Sequence, residues 1–361
     1  MKITIKDVAR EAGVSISTVS KVINDAPTIS DATKVRVKEI MEKLHYQPNS
    51  QASNFARQKT NNIIFLTKLE QGIAFSNPHM FEIMCGVQKI LGAKSYNMSF
   101  TGADSKEEAF SIAKDAIARK RADGIVVHGS ATSKELAELL VSEAFPHILI
   151  GKPRFRSPVC WIDINNCISG EMAATHLAEY GYTRIAFVGG RKEDEISTDR
   201  LLGFTSAMRE NGLGVPEHFI KHGTYTKESG YRLTRELLDA TERPEAIICE
   251  NDKIAYGVMR ALDEQKVLVP GHMSVISFDD FPLSHMIEPP MTVVDIDVYD
   301  MGIQAGKLLL QKIRHPLLQV QYYTTLPKLV VRETTCRKKT CLLYTSPSPR
   351  DQRGSRMPSC A

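Results

Sequence analysis

The sequence predicts a small all-α helix-turn-helix head followed by an α/β body of two doubly wound parallel-sheet lobes. Before residue 46, short segments repeat apolar residues every three or four positions behind capping residues. After residue 61, short apolar runs alternate with amphipathic helical stretches. Charge divides the same way: residues 1–60 carry +4, the body −5 and residues 337–361 +5. A basic head on an acidic body suits a polyanionic partner for the head. With 361 residues, 42% of them hydrophobic, the chain can fill two or three cores. No apolar run approaches the length of a membrane span, and a charged helical pattern stands where a signal segment would, so a cytoplasmic protein is expected. The seven cysteines are scattered, with no CxxC and no zinc-like His pair, which argues against a disulfide framework and a structural metal; no cofactor is expected.

In the head, Thr4 opens TIKDVAREAG with a Thr-x-x-Asp start, and Ile5, Val8, Ala9 and Ala12 form one buried face. Gly13 ends that helix. Val14 plugs the turn, Ser15 caps a second helix, and Val19, Val22 and Ile23 face inward. Ser30 caps a third, with Val37, Ile40, Met41 and Leu44 inside. The outer face of the second helix keeps Ile16, Ser17, Thr18, Ser20 and Lys21, short enough for close approach to phosphates and base edges. Residues 47–60 are a connector: Pro48 breaks the third helix, and Asn49 can cap about two helical turns that are too short to stand alone.

In the body, NIIFLT, DGIVVHGS and HILIGKP read as strands of one lobe, and RIAFVGG, AIICEN and SVISFDD as strands of a second. The ends of parallel strands in two such lobes meet at a cleft suited to a small molecule. Glycoside hydrolysis by Asp279 with Asp280, or by Glu250 with Asp252, is disfavoured, because no acid and base are set by spacing and adjacent strand residues point to opposite faces. FVGG lacks the G-x-G-x-x-G pattern, and His128, His147 and His176 have no Ser or Cys partner motif, so no enzyme is expected.

TIKDVAREAGVSISTVSKVIN followed by SDATKVRVKEIMEKLHYQPN resembles the head of the lactose-repressor (LacI/GalR) family. DRLLGF, CENDKIAYG and SFDDF resemble the signature positions of the periplasmic-binding-protein-like body behind it. The resemblance implies a repressor acting as a homodimer on double-stranded, pseudo-palindromic operator DNA, under the control of a small-molecule effector. It assigns base reading to Ile16, Ser17 and Lys21 and phosphate contacts to Thr4, Ser15, Ser20 and Asn24. Lys21 replaces the more usual arginine and loses the bidentate fork. Asn49, Ala52 and Phe55 fall on the hinge helix that enters the minor groove, with Phe55 where leucine is usual. Arg200, Tyr225, Asn251 and Asp279 fall on effector-binding positions. As a fork of donors, an aromatic face, an amide and an acceptor they suit a sugar; a purine is the alternative ligand.

The expected domains are the head at 1–46, the hinge at 47–60, an N-terminal lobe at 61–162 and 292–325, and a C-terminal lobe at 163–291 and 326–336. Residues 341–361, rich in Pro, Ser and Arg without periodicity, read as a non-native, vector-like tail. The rival function is a cytoplasmic small-molecule-binding protein without DNA activity.

Overall fold

The computed structural model describes residues 3–23, 25–46, 59–69, 78–316 and 318–335. Three helices build the head: α1 (Ile5–Ala12), α2 (Ile16–Ile23) and α3 (Asp31–Lys43). Gly13 ends α1 in the left-handed region at φ 61, and the Val14 N–H returns to the Ala9 carbonyl, so the chain turns sharply into α2. Thr4 and Asp7 form a capping box at the start of α1, in which the Thr4 N–H and hydroxyl both donate to the Asp7 carboxylate, at 3.0 and 2.7 Å. These bonds hold the Asp7 carboxyl below its ordinary range. Val8, Ala9, Ala12, Val19, Val22 and Val37 form the buried core, with Ile40, Met41 and Leu44 packed at its edge. Each fully buried valine contributes about 1.5–3 kcal/mol against the entropy of the chain. The core of so short a segment is narrow, so a polar substitution in it removes a large share of the head's stability.

The body divides into two compact units, residues 1–163 with 298–323 (head included) and residues 164–297 with 324–361. The first unit's strands and helices alternate as β1 (Asn62–Lys68), α4 (Pro78–Gly92), β2 (Asn97–Ala103), α5 (Lys106–Ala118), β3 (Gly124–His128), α6 (Lys134–Ser142), β4 (His147–Ile150) and β5 (Trp161–Ile164). The second continues with α7 (Asn166–Glu179), β6 (Ile185–Gly189), α8 (Glu195–Glu210), β7 (Ile220–His222), α9 (Lys227–Asp239), β8 (Ala246–Cys249), α10 (Asp252–Glu264), β9 (Ser274–Phe278), α11 (Pro282–Met286) and β10 (Thr292–Asp295). Among the described residues three further elements follow: α12 (Val298–Arg314), β11 (Tyr322–Thr325) and β12 (Lys328–Val330).

The first sheet runs β11-β5-β4-β3-β1-β2 and the second β12-β10-β9-β8-β6-β7. Strands β1 to β5 pair in parallel, as do β6 to β10, while β12 joins β10 antiparallel. In each sheet the order reverses between two neighbouring strands, β1/β3 in the first and β6/β8 in the second. Such switch points open a crevice beyond the carboxyl ends of the strands.

One boundary differs from the expectation that Thr292 starts the return to the first lobe. Thr292, Val293 and Val294 instead pair with Ile276, Ser277 and Phe278 of β9, and the chain leaves the second unit after Asp297. All three residues are fully buried, and a run buried on both faces belongs inside a sheet. The expected boundary at 325/326 also shifts, to 323/324.

Candidate functional site

On α2, Ile16 is 45% exposed, and Ser17 and Lys21 are exposed beside it. The Ser15 hydroxyl accepts from the Thr18 N–H at 3.1 Å and lies 2.8 Å from the Ser17 hydroxyl and 2.9 Å from that of Thr18. It therefore caps the helix and ties Ser17 to the cap, leaving Ile16 and Lys21 as the projecting groups of this face. Thr4 is exposed and Ser20 half-buried in the same small domain. Asn24, Asn49, Ala52 and Phe55 lie outside the described residues.

In the second unit, the residues after β6, β7, β8 and β9 converge at the switch point. Arg200, on α8, is 4% exposed. Its Nε donates to Asn166 Oδ1 at 3.0 Å and its Nη1 to the Glu250 carbonyl at 2.7 Å, while the guanidinium carbon stands 4.2 Å from the Phe278 ring centre. The approach of α8 to α7 makes this possible. Gly203 meets the Cys167 carbonyl and Gly170 the Arg200 carbonyl so closely that a Cβ at either position would collide with backbone. Without that approach Asn166 could not reach Arg200.

Asp279 follows β9 with φ 76, a strained backbone for a residue with a side chain, and is 1% exposed. Its Oδ1 stands 4.0 Å from Arg200 Nη2. That is ion-pair distance but beyond hydrogen-bond reach. Two buried, opposite charges are thus aimed at each other across a gap that a ligand hydroxyl can bridge, accepting from one and donating to the other.

Tyr225 packs its ring against Gly190, where a Cβ would strike the ring, and its hydroxyl donates to Glu250 Oε1 at 3.2 Å. Burial first, and then the Glu250 and Asp194 carboxylates, push that hydroxyl's pKa up, so it stays protonated. Asn251 serves two ends. Its Oδ1 accepts from the Ile254 N–H at 2.8 Å and caps α10, so only its amide NH₂ remains for a ligand.

The four predicted body residues therefore lie on the strand-end side of one unit, whereas Asp280, adjacent to Asp279, turns away to Arg332 at 2.7 Å and His285 at 3.1 Å. Sequence reasoning weighed Glu250 only as a catalytic carboxylate and missed Asn166 and Ser197. Glu250 carried a readable signal: a carboxylate directly after the apolar AIIC strand, with 0% exposure, has to be held by buried donors. Asn166 and Ser197 carried none, because their importance depends on helix packing.

In the first unit the corresponding strand ends are tied by Ser130, whose hydroxyl lies 3.2 Å from that of Thr67, accepts from the Lys68 N–H at 3.2 Å and sits 2.9 Å from His128 Nδ1. Desolvation pulls His128 down to about 4.

A three-helix head on a body of two parallel-sheet units, with a polar site at a switch point, defines a ligand-responsive DNA-binding protein. Comparison with known proteins agrees. The family model for bacterial regulatory proteins of the LacI family matches residues 4–49, and that for the periplasmic binding protein-like domain matches residues 174–335. The chain is 30% identical over 330 residues to the ribose operon repressor of Escherichia coli (strain K12), covering 91% of this chain and 98% of that one. It is 31% identical over 310 residues to catabolite control protein A of Priestia megaterium, covering 86% and 92%. Among solved structures it is similar to the transcriptional regulator CelR in complex with cellobiose, with 26% identity, 92% and 99% coverage and a TM-score of 0.68. It shares its fold with the lac repressor dimer bound to operator and the anti-inducer ONPF, with 23% identity, 93% and 100% coverage and a TM-score of 0.73. The chain belongs to the LacI family of bacterial transcription regulators.

Proposed function

We propose that the protein is a repressor that binds a pseudo-palindromic operator as a homodimer and is controlled by a sugar or sugar derivative. Ile16, Ser17 and Lys21 read bases, and Thr4, Ser15, Ser20 and Asn24 hold phosphates. Asn49, Ala52 and Phe55 belong to the connector that enters the minor groove. Arg200, Tyr225, Asn251 and Asp279 bind the effector. The head is residues 1–46, and the work is done in the cytoplasm without catalysis.

One observation carries the effector reading, the 4.0 Å gap between the buried Arg200 and Asp279 at the switch point of the second sheet. Hydroxyls suit it because each can accept and donate at once. The relative named as a ribose operon repressor and the neighbour solved with cellobiose support a sugar. The exposed Ile16 and Lys21 on a capped, short-side-chained helix support base reading.

Selection of bound duplexes from a random library tests the DNA half. A two-fold symmetric site with affinity falling steeply in salt is expected. Absence of sequence preference at about 0.1 M salt would favour the rival, a small-molecule-binding protein without DNA activity.

A further inference from the structure

Three donors at the switch point, the Gly190 N–H and the Ser197 and Tyr225 hydroxyls, are already taken by the protein itself. Glu250 is fully buried. Its Oε2 accepts from the Gly190 N–H at 2.6 Å and from the Ser197 hydroxyl at 2.6 Å, and its Oε1 accepts from Tyr225 at 3.2 Å. Gly190 follows β6, and Ser197 stands in the first turn of α8. A loop N–H beside the first turn of a helix, with two hydroxyls converging on it, is the kind of cradle in which α/β proteins hold phosphate or carboxylate groups. Here a side chain fills it.

The rest of the site has the same bias. Arg200 spends Nε and Nη1 on Asn166 and the Glu250 carbonyl and turns Nη2 toward Asp279. Tyr225 spends its proton on Glu250 and so offers a ligand only lone pairs. Asp194 and Glu195 open α8 where a basic residue would attract an anion. The cations on the same loops, Arg191, Lys192 and Lys253, each have an acid nearby in sequence, Glu193, Asp194 and Asp252.

Resting on the effector site assigned above, we propose that Glu250 acts as a built-in anion that restricts the effector to an uncharged polyol, excluding phosphorylated and carboxylated sugars. Such a ligand brings hydroxyl donors to Asp279 and Tyr225 and asks for few in return. A sugar phosphate would find the cradle occupied and meet the Glu250 and Asp279 carboxylates, with Arg200 as the one buried cation of the cluster described here. One added negative charge about 6 Å from a carboxylate, at an effective dielectric of about 20, lowers affinity about 100-fold.

Thermal shift and calorimetry on the full chain test this with ribose, glucose and cellobiose against ribose 5-phosphate, glucose 6-phosphate and inorganic phosphate. At least one neutral sugar is expected to bind, with its phosphate about 100-fold weaker or silent. Glu250→Gln keeps the shape and is expected to narrow that ratio to within about tenfold. Glu250→Ala empties the cradle and is expected to make inorganic phosphate a stabiliser, which it is not for the parent. An unliganded melting temperature within a few degrees of the parent establishes that a variant is folded. If one variant fails that check, the other and the parent's own neutral-to-phosphate ratio decide.

Sugar phosphates binding the parent as tightly as neutral sugars, with that binding lost in Asp279→Asn, would overturn the exclusion and leave the site assignment standing. Binding of either class that ignores both Asp279→Asn and Arg200→Lys would remove the site assignment and this inference with it. Silence of the whole panel counts against a polyol effector and equally overturns the proposal.

Discussion

Replacing Arg200 with methionine keeps most of the side chain's bulk and removes its charge. The structure sets the expected cost. Arg200 and Asp279 side chains are 5% and 2% exposed and 4.0 Å apart, so solvent screens them little. At that distance and an effective dielectric of about 20 their attraction is about 4 kcal/mol, part of it offset by the desolvation of both ions. The variant also strips a donor from Asn166 Oδ1 and from the Glu250 carbonyl, two buried acceptors. Breaking one side of a buried pair costs about 3–5 kcal/mol. For a unit of about 150 residues that lowers the melting temperature by roughly 10 °C. Calorimetry on the full chain, which resolves the second unit if it unfolds separately, reads this directly. A double-mutant cycle with Asp279→Asn isolates the pair, with an expected coupling of about 1–3 kcal/mol. A loss below about 1 kcal/mol for Arg200→Met, or coupling within about 0.3 kcal/mol of zero, would refute the view that these two charges hold each other across the site.

Lys21→Ala is expected to lose about 1–3 kcal/mol of discrimination between the operator and single-base variants, measured by competition binding; unchanged discrimination would displace α2 as the reading helix. Asn251→Ala removes the α10 cap and is expected to cost about 1 kcal/mol in urea unfolding, beyond any loss of effector affinity. Gly203→Ala forces α8 off the Cys167 backbone and is expected to cost about 1–3 kcal/mol and weaken effector binding through Arg200, whereas a variant of parental stability would show that the helices can part without penalty. The first unit should lose stability in acid. His147 is 5% exposed, its Nδ1 lies 2.6 Å from the Phe145 carbonyl, and its Nε2 accepts from the Cys160 N–H at 3.1 Å. Protonation would set two donors against each other at Nε2, and desolvation holds the imidazole down to about 4. With the folded pKa below the unfolded value of about 6.5, the stabilisation is complete above about pH 6.5 and is lost as pH falls towards 4, up to about 3 kcal/mol. His147→Gln should flatten that part of a pH–stability profile.

The sequence by itself determined the head. Its caps, its apolar positions at three- and four-residue spacing and the glycine between α1 and α2 act within a turn or two of the chain, so local rules reach them. It determined the alternation of strands and helices in the body for the same reason. It also placed Arg200, Tyr225, Asn251 and Asp279 by resemblance, and the fold brings all four to the strand-end side of the second sheet. The tertiary structure alone decided that Thr292 to Asp295 complete the second sheet, because an apolar run reads alike in either sheet until its pairing partner is known. It alone decided what the donors of the site are spent on. Glu250 meets Gly190 and Ser197 from 60 and 53 residues away, and Asn166 meets Arg200 from 34, only because helices cross on glycines and parallel strands end together. Hydrogen bonds between such distant groups leave no periodic trace in the chain, and they decide which chemistry is left for a ligand.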